Sequence, residues 1–270
     1  MQLPVSELEV RFRVPDGNDD LAILEAPGGV LDRALLLVSR LALLSDASGY
    51  EIRRSEETIN GWASLTVTDF EAALLSLRRF LFGDTISCVF RCTSLECGER
   101  IEPEFSVTAY LEQIQPRLPR HVSQCENRAG WYRMSGGPNR SFEFRLPTVM
   151  DQLRVLGRAM GAAQLTERCI EPIGLKARGT TSVEQAMESL APLVSQAVTG
   201  SCPECGESLT MYLHVPRLVV DELTASAVGV HDEIHSIAAA YHWDEAAILA
   251  LPQRRRQAYA ETIRRRERAA

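Results

Sequence analysis

What this 270-residue sequence lacks narrows it first. No apolar run approaches the roughly 20 residues that cross a bilayer, so we expect no membrane span. The segment Met1–Glu9 has no basic stretch leading into an apolar core, which predicts no secretory signal and a cytoplasmic protein. Lysine is nearly missing, Lys176 being the single one, and basic residues are outnumbered 29 to 36, for a net charge of −7. Proteins that coat phosphate backbones need the opposite excess, so the charge argues against general nucleic-acid binding. The sequence also has no glycine-rich phosphate loop, no nucleophile motif and no cluster of catalytic carboxylates, and we expect no enzyme. The rest is ordinary globular composition, 45% hydrophobic and 24% charged, enough for one large or two modest domains.

Two phrases occur twice in the same order. Phe12-Arg13-Val14-Pro15, followed by Asp20-Leu21 and Leu24, recurs 132 residues later as Phe144-Arg145-Leu146-Pro147, followed by Asp151, Leu153 and Leu156. Each reads as a short extended piece, with an acid placed to cap or enter the first turn of a helix. Cys92-Thr-Ser-Leu-Glu-Cys97-Gly98-Glu99, followed by Ile101, Phe105 and Val107, recurs as Cys202-Pro-Glu-Cys205-Gly206-Glu207, followed by Leu209, Met211 and Leu213, with Cys205 standing 108 residues after Cys97. The first copy is therefore 24 residues longer between its phrases, a surplus we place around 45–68.

The expected fold is α+β, an internally duplicated helix, strand and cysteine-knuckle module with a helical carboxyl-terminal segment. Its blocks are 1–115 (first copy), 116–141 (a linker or insertion rich in proline and glycine), 142–223 (second copy) and 224–270 (terminal helices). Apolar spacing of three and four predicts helices through Leu31–Ala42 and Val183–Val194. Period-two patterns predict strands at Ile86, Cys88 and Phe90 and at Phe105 and Val107.

Seven cysteines in a chain read as cytoplasmic are better thiols or metal ligands than disulfides. Cys202-Pro203-Glu204-Cys205-Gly206 is a zinc-knuckle phrase: two thiolates two residues apart, then a glycine, can both reach one ion. One knuckle supplies half a tetrahedron. The other half is expected from Cys92 and Cys97, spaced by four residues, giving one structural zinc per chain in a closed, zinc-ribbon-like site that joins the copies. Cys88 could replace one ligand. A redox role for the Cys202 pair fits less well, because a strand pattern rather than a helix follows it. Cys125 and Cys169 have no companion at ligand spacing, and Cys169 reads as a small buried hydrophobe on an apolar helix face.

His231 and His235 share one helical face, but Asp232 stands where the helical zinc-protease motif has glutamate, and no third ligand is evident. From Pro216 to Ala238 the apolar stripe predicts one long helix. Asp244 is placed to cap a short helix carrying Ile248 and Leu251, and Pro252 to open the last one, which carries Arg254-Arg255-Arg256 and Arg264-Arg265-Arg266.

The Phe-Arg-x-Pro start, the Cys-Pro-x-Cys-Gly turn and the ending His235…Tyr241-x-Trp243-x-Glu245-x-x-Ile248-Leu249-x-Leu251…Arg255-Arg256-x-x-Tyr259 together resemble the baseplate hub assembly proteins of contractile-tailed phages and related contractile injection systems. The resemblance is best over Phe142–Ile263 and reaches the first copy only through the internal repeat. It departs at the four-residue first knuckle and the 115–141 insertion. It implies a non-enzymatic assembly chaperone or minor component whose partners are baseplate or tail hub proteins. On this view Tyr241, Trp243, Arg255, Arg256 and Tyr259 contact the partner or pack the terminal helices. The alternative is a zinc-ribbon nucleic-acid binder using the arginine-rich terminal helix, against which stand the acidic knuckle residues Glu96, Glu99, Glu204 and Glu207.

Overall fold

Both Phe-Arg-x-Pro phrases build the same helix start in the computed structural model, which describes residues 1–45, 58–87, 89–135, 141–158, 160–171 and 177–269. Strand β1 (Glu9–Phe12) leads into α1 (Gly17–Glu25), α2 (Val30–Leu41) and β2 (Ala42–Ser45). Then come α3 (Thr58–Ala63), α4 (Val67–Phe82), β3 (Thr85–Ser87), β4 (Phe90–Arg91), β5 (Arg100–Ile101), β6 (Glu104–Ser106) and α5 (Val107–Glu112). The chain continues through β7 (Val122–Gln124), β8 (Trp131–Ser135), β9 (Ser141–Arg145), α6 (Val149–Val155), α7 (Gly161–Glu167), β10 (Ile170–Glu171), α8 (Ala177–Leu190), β11 (Ala197–Ser201) and β12 (Ser208–Tyr212). It ends in α9 (Val215–Ala227), α10 (Val230–Tyr241), α11 (Glu245–Leu249) and α12 (Gln253–Ala269). The fold is mixed α+β, and no helix among the described residues is long and apolar enough to cross a membrane.

In α1 the N-cap Asp16 accepts from the Asn18 and Asp19 amides, while the Asp19 carboxylate accepts from the Asp16 amide and takes a bidentate pair from Arg13 at 2.6 and 2.7 Å. In α6 the N-cap Thr148 and Asp151 do the same, and Arg145 grips Asp151 at 2.5 and 2.9 Å. The acid equivalent to Asp151 is therefore Asp19, which lies 132 residues before it, and not Asp20. It enters the first turn because the box sits three residues from its cap.

The chain forms two units, residues 1–10 with 44–215 and residues 11–43 with 216–270. They cut across the expected blocks: the first holds both cysteine turns and the second Phe-Arg-x-Pro phrase, and the second holds the first phrase and the terminal helices.

In the first unit, β7 to β10 form an antiparallel sheet in the order β10-β9-β8-β7, so the 116–141 insertion contributes two of its strands, β7 and β8. Phe144, Met134, Val122 and Ile170 pack from this sheet against Val183, Ala186, Met187 and Leu190 of α8. The α8 pattern was expected to run on to Val194, but Pro192 cannot continue a helix, and Leu193 and Val194 lie beyond its end. Residues Thr68–Arg78 of α4 are all buried, including three charged ones. Asp69 accepts from the Val5 and Ser6 amides, Arg78 donates to the Gly83 and Thr85 carbonyls, and Glu71 accepts from the Ser195 amide. Val107, expected in a strand, opens α5 instead, because Ser106 caps that helix and Asp84 receives the Ser106 and Thr108 hydroxyls and the Thr108 amide.

In the second unit, α2 buries the predicted face Leu31, Leu35, Val38 and Leu41. The long helix expected from Pro216 is two, α9 and α10, broken at Val228-Gly229, with Gly229 as the α10 N-cap. Asp244 caps α11 through the Ala247 amide as expected. Ile237 of α10, Ile248 of α11 and Ile263 of α12 form the shared core.

Candidate metal centre

Each knuckle is a turn closed by backbone bonds between short strands. In the first, the Cys92 amide donates to the Glu99 carbonyl at 2.8 Å and the Gly98 amide to Ser94 at 3.0 Å. In the second, the Cys202 amide donates to Glu207 at 2.8 Å and the Gly206 amide to Cys202 at 2.9 Å. Gly98 and Gly206 sit at φ +59° and +75° with nothing near where a Cβ would stand, so it is the left-handed backbone that calls for glycine there. The two extra residues of the first turn, which include the fully exposed Leu95, extend the loop while the bond from the first cysteine's amide to the residue after glycine is kept.

The turns bring four sulfurs together: the Cys92, Cys97, Cys202 and Cys205 Sγ atoms all lie within 4.8 Å of one another. Cys92 and Cys205 are 3.6 Å apart and Cys97 and Cys202 3.9 Å. Four thiolates bonded to one zinc at about 2.3 Å stand about 3.8 Å apart, so the donor set is already near the size a tetrahedral ion requires. Ile101 and Leu209 pack against the cysteines and close the site on its inner side, while Cys205 is exposed. The Cys205 and Glu204 amides point at the Cys202 sulfur and hold its thiol down to about 7. Cys92 receives a similar bond from the Ser94 amide, yet burial and the neighbouring thiols push it up to about 12. Four sulfurs this close cannot all ionise unless a cation shares them. The four cysteines can therefore hold a metal ion and offer no open position for chemistry. Cys88 falls outside the described residues.

The remaining residues of interest do not belong to this four-cysteine set. His231 and His235 are exposed on α10, and among the described residues no third ligand joins them. Cys169 is buried in the turn after α7 rather than on a helix face, and burial raises its thiol to about 11. Tyr241, Trp243 and Tyr259 stack as a trio with ring centroids 5.3 to 5.8 Å apart, Trp243 being 39% exposed. Arg255 is exposed on α12. Arg256, expected with these to contact a partner or to pack the terminal helices, is fully buried: its guanidinium donates to Glu233 at 3.0 Å, to the Leu251 carbonyl at 2.7 Å and to Asp20. It packs the terminal helices and is closed to a partner.

A cleft of about 660 Å³ beside the knuckles, between β4, β5 and β6 on one side and β11 and β12 on the other, was not anticipated. Its apolar lining includes Ile101, Phe105, Leu209 and Met211. Its walls come from hairpins about a hundred residues apart, so no local pattern announces it.

Compared with protein-family models, curated proteins and solved structures, the chain matches none.

Proposed function

We propose that this chain is a non-enzymatic assembly factor or minor structural component of a contractile phage-tail or injection-system baseplate, folded around one structural zinc. The observation that carries the structural part is the meeting of four sulfurs from two turns that lie 105 residues apart at their nearest cysteines. An all-thiolate set favours zinc over the hard cations that oxygen ligands select, and a closed set stabilises a fold without activating water. The order strand, two helices, strand, helix, cysteine hairpin, helix runs from β9 to α9, and β1 to α5 follows it with α3 and the β3–β6 pair added; we read this as an ancestral duplication that the metal ties together. The baseplate assignment rests on the resemblance of Phe142–Ile263, and the partly exposed Tyr241, Trp243 and Tyr259 with Arg255 have the aromatic and arginine make-up of binding hot spots.

Elemental mass spectrometry of protein purified without chelator, with thiol titration before and after denaturation, tests the site. One zinc per chain and four protected thiols are expected. Cys205→Ser should lower the melting temperature, loosen both hairpins together and abolish sensitivity to chelator. Unchanged melting and freely reactive thiols in the unmutated protein would sink the shared site. Capture of purified hub proteins by the wild type but not by Trp243→Ala tests the partner reading.

A further inference from the structure

Two exposed faces of this chain carry opposite charge. The inward side of α12 is Arg256, Ala260 and Ile263. The rest of the helix exposes Arg254, Arg255, Arg264, Arg265, Arg266 and Arg268 against only Glu261 and Glu267. Arg254, Arg265 and Arg268 fall on one outward stripe, since intervals of eleven and fourteen residues are close to whole turns at about 3.6 residues per turn. None of the six exposed arginines lies within ion-pair distance of a carboxylate among the described residues.

The knuckle face of the first unit is the reverse. Glu96, Glu99, Glu204 and Glu207 stand exposed on the two turns, and Glu102 and Glu104 continue the acidic rim along the cleft. Among the described residues that line the cleft, only Arg91 and Arg100 offset them, and Arg100 is tied to Glu102 at 2.8 Å. Four thiolates around a divalent ion add two further negative charges, a contribution that rests on the metal reading above.

We propose that the arginine face of α12 on one copy docks against the glutamate rim of the knuckles on a second copy. The two faces are different surfaces, so the contact is head to tail, and repetition closes a ring or continues as a filament. The copies share a net charge of −7 and repel at long range. Association therefore depends on the local faces and weakens as salt screens them.

Sedimentation velocity of the metal-loaded protein at about 50 mM and about 500 mM salt reads this directly, because the screening length falls about threefold between them. Association that grows with protein concentration at low salt and disappears at high salt is expected. A tail variant, Arg254→Glu with Arg265→Glu and Arg268→Glu, and a knuckle variant, Glu99→Arg with Glu204→Arg and Glu207→Arg, should each be monomeric alone. Their equimolar mixture should regain association, because each reversed face then meets its complement. Circular dichroism and metal content on each variant keep misfolding apart from lost docking. Wild-type protein that is monomeric at every concentration overturns the proposal, as does association that neither reversal disturbs. Tight binding of a DNA duplex of about 20 base pairs through α12 by a protein that stays monomeric overturns it in favour of nucleic acid. Protein that contains no metal but still associates and complements leaves the docking intact and removes the metal reading alone.

Discussion

The starts of α1 and α6 are built from the same device and set in different surroundings. In both, an arginine at the end of an extended segment grips the acid six residues on, and that acid closes a capping box with the residue at the N-cap. In both, the N-cap residue also forms an isolated antiparallel bridge to the residue just before another helix: Asp16 to Pro252 ahead of α12, and Thr148 to Thr66 ahead of α4. The next position differs. Gly17 lies where an added Cβ would meet Leu249 and the Arg256 guanidinium at 2.8 to 3.0 Å, whereas its equivalent, Val149, is itself a fully buried core residue. Asp20 then faces buried Arg256, while its equivalent Gln152 makes no such pair. The phrase thus specifies how a helix begins, and the residues around it decide whether that beginning packs against a charge cluster or an apolar core.

The sharpest way to break the comparison is at that charge cluster. Arg256→Met should destabilise the protein by about 3–5 kcal/mol, because it leaves Asp20 and Glu233 buried without their cation. Urea unfolding at neutral pH measures the loss. Adding Asp20→Asn and Glu233→Gln to that variant should recover much of it, since the uncompensated charge rather than the lost contact sets the cost. If Arg256→Met unfolds at the wild-type urea midpoint, the two helix starts do not differ in the way the cluster implies.

Removing the shared acid comes next. Arg145 holds the Asp151 carboxyl down to about 2, with the Thr148 amide and hydroxyl helping against the opposing effect of burial. A carboxylate whose folded value lies below its unfolded one contributes stability above about pH 4, and that contribution drains away as pH falls towards 2, amounting to about 2 kcal/mol in all. Asp151→Asn should cost about that much at neutral pH and flatten the stability profile between about pH 4 and 2. Asp19 is lowered in the same direction by Arg13, the Asp16 amide and Arg40, again against burial, so Asp19→Asn should likewise remove a contribution that is present above about pH 4 and lost as pH falls below it. Thermal melts across pH for both variants decide the matter, and a profile that keeps its wild-type slope in either would count against that pair.

Much of this device can be read from the sequence, and what cannot has identifiable causes. Phe-Arg-x-Pro marked both starts, and the glycine after the second cysteine marked both knuckles, because each depends on neighbours within a few residues. The four-cysteine set could be assembled by spacing alone, since thiols in turns have few other uses at that interval. Matching the repeat on apolar neighbours points to Asp20 rather than Asp19, because the bidentate pair that identifies the true equivalent is a contact in space. The break at Gly229 leaves no mark in the hydrophobic pattern, because the apolar stripe of α9 resumes in phase in α10. Arg256 was hidden in an arginine triplet that reads as solvated, and its partner Asp20 stands 236 residues away. A trace was present all the same: Arg256, Ala260 and Ile263 follow the four and three spacing of a buried face, which set one arginine of the three apart.

The smallest change that still sharpens the comparison is at the caps themselves. Thr148→Ala removes the hydroxyl that accepts from the Asp151 amide at 3.3 Å and donates to its carboxylate at 2.8 Å, and should cost about 1 kcal/mol. Asp16→Ala removes the carboxylate oxygen that accepts from the Asn18 amide at 2.9 Å and the Asp19 amide at 3.2 Å, at a similar cost. The two differ in what they leave behind. Asp16 adds to the negative charge around Asp20 and Asp19, which must share Arg13, Arg40 and Arg256, so its removal relieves some repulsion while it loses a cap. Thr148 carries no charge, and nothing offsets its loss. The Thr148→Ala cost should therefore exceed that of Asp16→Ala at neutral pH by a few tenths of a kcal/mol, and the gap should widen at low salt, where repulsion is least screened. Paired urea titrations at two ionic strengths measure it, and a gap that does not respond to salt would mean that the two caps differ in geometry rather than in charge.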